Sequence, residues 1–240
     1  MRAVIFDWGG TLTPWHTIDA AASWTASVAD DAELAGRLLQ AEIDLWTRSR
    51  DEHLSFTMDD VYDRAGHRLT DDGLAAYHRF WDEHTFTDPA VPGVLHGLHE
   101  RGLRVGVLSN TSWPRSRHEQ IFARDGVLDL IDAAVYSSEI RYAKPHPEAF
   151  RAALDAVGVA DPAEAVYVGD RLFDDIYGAH RVGMKAVLVP HSEIPEWQVG
   201  TELGEPDAIV GDLSELLDLI DGWRISADSR EGDGRRRRRQ

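Results

Sequence analysis

Four stretches of the sequence carry reactive side chains, three of them where an apolar run stops. Ala3-Val4-Ile5-Phe6 leads into Asp7, with Gly9, Gly10 and Thr11 close behind. Val105-Gly106-Val107-Leu108 leads into Ser109 and Asn110. Lys144 stands before Pro145, and Val166-Tyr167-Val168-Gly169 leads into Asp170, followed by Asp174 and Asp175. A carboxylate can serve as a nucleophile and split one hard displacement into two easier ones. A hydroxyl beside an amide can hold the oxygens of an anion. Acids gathered in one place repel one another unless a cation neutralises them, and an all-oxygen donor set suits Mg²⁺. Taken singly, these residues have structural explanations: an Asp after a strand often caps the next helix, and acids are stabilised in a helix's first turn. The joint pattern points to chemistry.

The elements that must position them follow from the hydrophobic pattern. Short uninterrupted apolar runs read as strands buried on both faces: residues 3–7, 105–108, 133–136, 166–168, 186–189 and 208–210. Between them the spacing predicts helices over 94–101, 116–124, 147–157, 174–182 and 212–220. Alternating strands and helices imply a parallel sheet with right-handed crossovers. In such a doubly wound α/β sheet the strand ends converge on one edge, where ligands bind. From Asp19 to Phe86 the pattern is helical, with Leu34, Leu38, Leu39, Ile43 and Trp46 at three- and four-residue steps. This stretch reads as an insert of about four helices. The expected organisation is a core of residues 1–15 and 88–225, a helical unit over 16–87, and a disordered basic tail over 226–240.

Composition bounds the function. The 240 residues are 43% hydrophobic and 28% charged, as in a soluble globular protein. No apolar run is long enough for a membrane helix, and the acid at position 7 does not fit a signal peptide. The absence of cysteine excludes disulfides, thiolate metal sites and a cysteine nucleophile, and fits a reducing cytoplasm. The net charge of −17 repels phosphate backbones, so general nucleic-acid binding is not expected. There are 25 Lys and Arg together, yet only Lys144 and Lys185 are lysines. A surviving lysine marks a place where a compact ammonium fits and a planar fork does not.

These stretches resemble a family. Phe6-Asp7-Trp8-Gly9-Gly10-Thr11-Leu12, Leu108-Ser109-Asn110, Lys144-Pro145 and Gly169-Asp170-Arg171-Leu172-Phe173-Asp174-Asp175 look like the four ordered motifs of the haloacid dehalogenase-like hydrolases, over about residues 3–190. The resemblance implies a Rossmann-like sheet with an inserted, all-helical C1-type cap. It further implies a small phosphorylated substrate, with Asp7 as nucleophile, Ser109 and Lys144 as its catalytic partners, and Gly10, Thr11, Ser109, Asn110 and Lys144 around the phosphate. Mg²⁺ would be held by Asp7, the Gly9 carbonyl and Asp170, with Asp174 or Asp175 as a further ligand. A monomer or homodimer acting without nucleic acid or membrane is expected.

One position departs from the pattern. Phosphatases of the family usually carry a second Asp two residues after the nucleophile, which protonates the leaving oxygen; here that position is Gly9. A general acid–base residue is worth roughly 10²–10⁴-fold in rate. His16, His53 and His84 are candidates to carry the proton instead, as is a substrate with a good leaving group. Two other readings stay open, a 2-haloacid dehalogenase-type hydrolase and a catalytically impaired phosphate-binding module. Trp15, Trp24, Trp46 and Trp81 would pack between cap helices or form an aromatic wall against the substrate.

Overall fold

β1 (Ala3–Phe6) runs through the centre of the molecule, and each of its four residues is wholly buried. A computed structural model describes residues 1–16, 18–29, 31–190, 192 and 203–225 of the chain. β1 pairs in parallel with β2 (Arg104–Ser109) on one side and β4 (Ala165–Gly169) on the other. β3 (Ala133–Tyr136) extends the sheet beyond β2; β5 (Lys185–Leu188) and β6 (Ala208–Ile209) extend it beyond β4. The six strands lie in the order β3-β2-β1-β4-β5-β6, all parallel. The chain therefore turns to opposite sides of β1 after β1 and after β3, and a crevice opens at the carboxyl ends of β1, β2 and β4.

Alternate strand residues face opposite layers, as the pleat requires. Ala3 and Ile5 pack with Phe150 and Leu154 of α7 (Pro147–Ala156) and Ala179 of α8 (Gly178–Val182). Val4 and Phe6 join the other face, with Leu95 and Leu98 of α5 (Val91–Glu100), Phe122 of α6 (Arg115–Arg124) and Ile220 of the helix over 216–225. α5 begins earlier than the sequence suggested, because Pro92 is tolerated within a first helical turn. The stretch ahead of α8 also differs: Leu172–Tyr177 is π-helical, and the helical turn opens before Asp174. The expected disordered tail, 226–240, lies outside the described residues.

Four helices stand between β1 and α5: α1 (Ala20–Ser27), α2 (Ala32–Glu52), α3 (Met58–Ala65) and α4 (Asp71–Asp82). Each is started by a side-chain cap. Asp19 accepts from the Ala21 N–H, Asp31 from Leu34, Thr57 from Asp60 and Thr70 from Gly73. α1 crosses α4 at Gly73, where a Cβ would lie 2.4 Å from the Ser27 carbonyl oxygen. Three backbone hydrogen bonds tie the α2–α3 turn to the loops beside the crevice: Ser55 N–H to Arg141 O (3.0 Å), Ala143 N–H to His53 O (2.9 Å) and Met58 N–H to Ser112 O (3.0 Å). Among the described residues no helix is long and apolar enough to cross a membrane.

Candidate active site

Asp7 leaves β1 at the crevice and is 5% exposed, with its N–H bonded to Val168 O at 2.9 Å. The turn behind it depends on glycine. Gly10 has φ of +94°, and a Cβ there would lie 2.1 Å from Asp170 Oδ2. The loops after β1 and β4 are thus pressed together with no room for a side chain between them.

Lys144 reaches Asp7 from the loop before α7. Asn110, at the end of β2, fixes the lysine's backbone from both sides: its Nδ2 donates to Lys144 O (3.0 Å), and Lys144 N–H donates to Asn110 Oδ1 (2.8 Å). The ammonium contacts Asp7 Oδ1 at 2.8 Å and Asp175 Oδ1 at 2.7 Å, and donates to the Tyr167 hydroxyl at 2.9 Å. These three acceptors use all three of its protons. The Tyr167 hydroxyl in turn donates a hydrogen bond to Leu108 O at 3.0 Å. Burial works against the lysine's charge, yet Asp175 and Asp7 together hold its pKa above the ordinary value. A planar guanidinium could not serve three acceptors arranged around one point.

The carboxylates outnumber this cation. Asp7, Asp170 and Asp175 each present an oxygen within 4.8 Å of the others. Asp175 is satisfied by Lys144 and by the Arg171 N–H, which bonds its Oδ2 at 2.9 Å. Both oxygens of Asp170 are buried without a hydrogen-bond partner. Burial raises the Asp7 carboxyl to about 6, against the pull of Lys144, and holds Asp170 well above the carboxylate range. Orphaned carboxylate oxygens beside two more acids fit a hard divalent cation with oxygen ligands. Asp174 turns aside, with its Oδ2 3.4 Å from Arg171 Nη1.

A cavity opens over this cluster and brings together Asp7, Gly9, Ser109, Asn110, Lys144 and Asp174. Gly10 and Thr11 stay behind it. Thr11 is fully buried with its hydroxyl unpaired, and Gly10 O accepts from Ser192 Oγ at 2.7 Å. His16 and His84 pair with each other at 3.0 Å, and His53 faces Phe173; none of the three lines the cavity. Trp15, Trp46 and Arg171 do line it. A Cβ on Gly9 would lie 3.0 Å from Trp15 Nε1, so the indole stands where a side chain at position 9 would project.

A second cavity lies between α1, α2, α4 and the core, and shares Trp8, Trp15, Trp46 and Asn110 with the first. Glu42 of α2 lines it and accepts from Trp24 Nε1 at 2.8 Å. Sequence reasoning passed over Glu42, Tyr167 and Arg171. Arg171 could have been noticed between Asp170 and Asp174; the other two sit inside regular helix and strand patterns that carry no local signal.

A family profile described as haloacid dehalogenase-like hydrolase matches residues 1–183. Glyceraldehyde 3-phosphate phosphatase of Methanopyrus kandleri is 29% identical over 230 residues, 92% of this chain and 97% of the relative. The protein of the same name from Pyrococcus abyssi is 38% identical over 115 residues, 48% of this chain, which spans only 47% of that relative's length. Among solved structures, a HAD phosphatase from Thermococcus onnurineus superposes with a TM-score of 0.63 at 24% identity, covering 92% of this chain and 98% of that one. L-2-haloacid dehalogenase from Xanthobacter autotrophicus gives 0.65 at 20% identity, covering 92% and 99%. Both likenesses concern the fold.

Proposed function

The chain belongs to the haloacid dehalogenase-like hydrolases, and we propose that it is a Mg²⁺-dependent phosphatase of small phosphate monoesters. The observation that carries this reading is the pairing of a buried Asp7, gripped by Lys144, with the orphaned carboxylate of Asp170 at the same cavity. Relatives named as phosphatases of small phosphorylated compounds add support.

In this proposal an oxygen of Asp7 attacks phosphorus, and the bond from phosphorus to the alcohol oxygen breaks. Water then attacks the aspartyl-phosphate, frees inorganic phosphate and restores the carboxylate. The alcohol gains one proton and the water loses one. Lys144 holds Asp7 in place and offsets part of the incoming negative charge, while Ser109 and nearby backbone N–H groups receive phosphate oxygens. Asp7, Asp170, Asp175 and the Gly9 carbonyl would hold Mg²⁺, which neutralises phosphate charge and orients it for in-line attack. Asp174 is left to Arg171. Residues 16–87 would form a cap that excludes water above the site, an arrangement supported by the hydrogen bonds of residues 53, 55 and 58 to the core loops.

With Gly9 in place of an acid, the reaction favours alcohols that leave with little help. Hydrolysis of p-nitrophenyl phosphate with Mg²⁺, lost in EDTA, is the expected result. Chloride release from 2-chloropropionate in EDTA, with no phosphate release under any condition, would replace this reading with the dehalogenase one.

A further inference from the structure

We propose that the second cavity receives an alkylated ammonium group, so that the substrates are phosphate esters of amino alcohols; this rests on the phosphatase reading above. The two cavities adjoin, with Trp8, Trp15, Trp46 and Asn110 in the walls of both, so the second lies beside the space where a phosphate over Asp7 would carry the rest of its ester.

The walls of that cavity are aromatic. Trp8, Trp15, Trp46, Trp81 and Trp113 all face it. Their rings meet at steep angles, with Trp15 and Trp81 at 81° and Trp81 and Trp113 at 72°. Ring faces carry negative quadrupole potential and attract cations, most strongly when the cation is alkylated and sheds water easily.

A purely apolar occupant would account for the rings but not for Glu42. Glu42 lines the same cavity, and burial raises its pKa against the indole hydrogen bonds of Trp24 and Trp46. Those indoles orient the carboxylate without bringing any positive charge. Among the described residues no Lys or Arg pairs with it. A carboxylate enclosed by aromatic rings is costly unless a cation joins it. The chain's net charge of −17 favours the approach of such a cation. The chemistry at the other end agrees. A positive nitrogen two carbons from the ester oxygen draws electrons away and makes the alcohol a better leaving group, which suits a site without a carboxylate at Gly9.

The test uses choline and its uncharged isostere 3,3-dimethylbutan-1-ol, titrated against tryptophan fluorescence of the full chain. Choline should bind at least about tenfold more tightly than the isostere, and Glu42→Gln should remove about tenfold of the choline affinity while moving that of the isostere far less. Phosphocholine should likewise exceed 3,3-dimethylbutyl phosphate in kcat/KM by about tenfold or more. Equal binding of choline and isostere by the wild-type chain, a comparison needing no variant, overturns the proposal. So does unchanged choline binding in Glu42→Gln. Choline binding as expected, with no phosphate ester hydrolysed in Mg²⁺, would uphold the cationic site and sink the phosphatase reading. Hydrolysis of p-nitrophenyl phosphate with no preference for choline would do the reverse.

Discussion

The Trp15 indole occupies the space beside Gly9: a Cβ on Gly9 would lie 3.0 Å from its Nε1 and 3.2 Å from Cε2 and Cζ2. The Trp15 backbone is anchored to the same turn. Its N–H donates to Ser192 Oγ at 3.0 Å, and that hydroxyl donates to Gly10 O at 2.7 Å. The space a side chain at position 9 would enter is therefore filled by an aromatic ring.

Restoring the acid requires moving the ring. Gly9→Asp alone should lower stability by about 1–3 kcal/mol through overpacking, measured by urea denaturation. Gly9→Asp with Trp15→Leu should raise kcat for simple alkyl phosphates by roughly 10²–10⁴-fold, with little gain for p-nitrophenyl phosphate. Equal gains for both esters would show that position 9 does not govern protonation.

Asp7→Asn should lower kcat at least about 10³-fold, since the nucleophile and its partners act as a unit. An active Asp7→Asn variant would remove the covalent mechanism altogether.

Lys144 is 3% exposed and faces two acids. Lys144→Met leaves them uncompensated and should cost about 3–5 kcal/mol of folding stability in metal-free buffer. Combining it with Asp175→Asn should cost less than the two single changes added together, because one of the stranded charges is then gone. Lys144→Arg should not restore the wild-type value.

Asp170→Asn should separate metal binding from folding. Without metal the variant should be more stable than wild type, since an orphaned buried carboxylate has been neutralised. With Mg²⁺ at about 100 times its dissociation constant, wild type should gain about 2.7 kcal/mol and the variant almost nothing, read as a shift in Tm. Identical Mg²⁺ shifts in both proteins would exclude Asp170 as a ligand.

His118 sets part of the acid sensitivity. It is fully buried, stacked on Tyr136 at 4.3 Å, and burial with Arg117 and Arg115 lowers its pKa from 6.5 to about 3. Between those values the unfolded chain binds a proton that the folded chain refuses. Its contribution to stability is complete above pH 6.5 and is lost as pH falls toward 3, at up to ~1.4 kcal/mol per pH unit. Denaturation midpoints of His118→Phe should therefore fall less steeply than wild type across this window.

Much of the architecture was legible because its signals are local. The apolar runs ending at Phe6, Leu108 and Val168 must be buried on both faces, and the acid or hydroxyl after each must leave the sheet at one edge. Asp19, Thr57 and Gly102 announce helix ends through hydrogen bonds that reach only a few residues. Asp7, Ser109 and Asp170 could accordingly be placed on one sheet edge from the strand pattern, and Lys144 joined them through the ordered motifs.

What the sequence could not determine depends on contacts between distant segments. Nothing local distinguishes Asp174 from Asp175; their roles separate because the π-helical turn aims one at Arg171 and the other at Lys144. Thr11 and Gly10 lie next to the nucleophile in the chain, but the turn buries them behind the cavity. Glu42 reads as one more polar residue on an amphipathic helix until the fold closes five tryptophans around the space it faces. Backbone periodicity and capping act within a few residues and are written in the sequence. The direction of a buried side chain, and the space left by a missing one, are decided by packing across the whole chain.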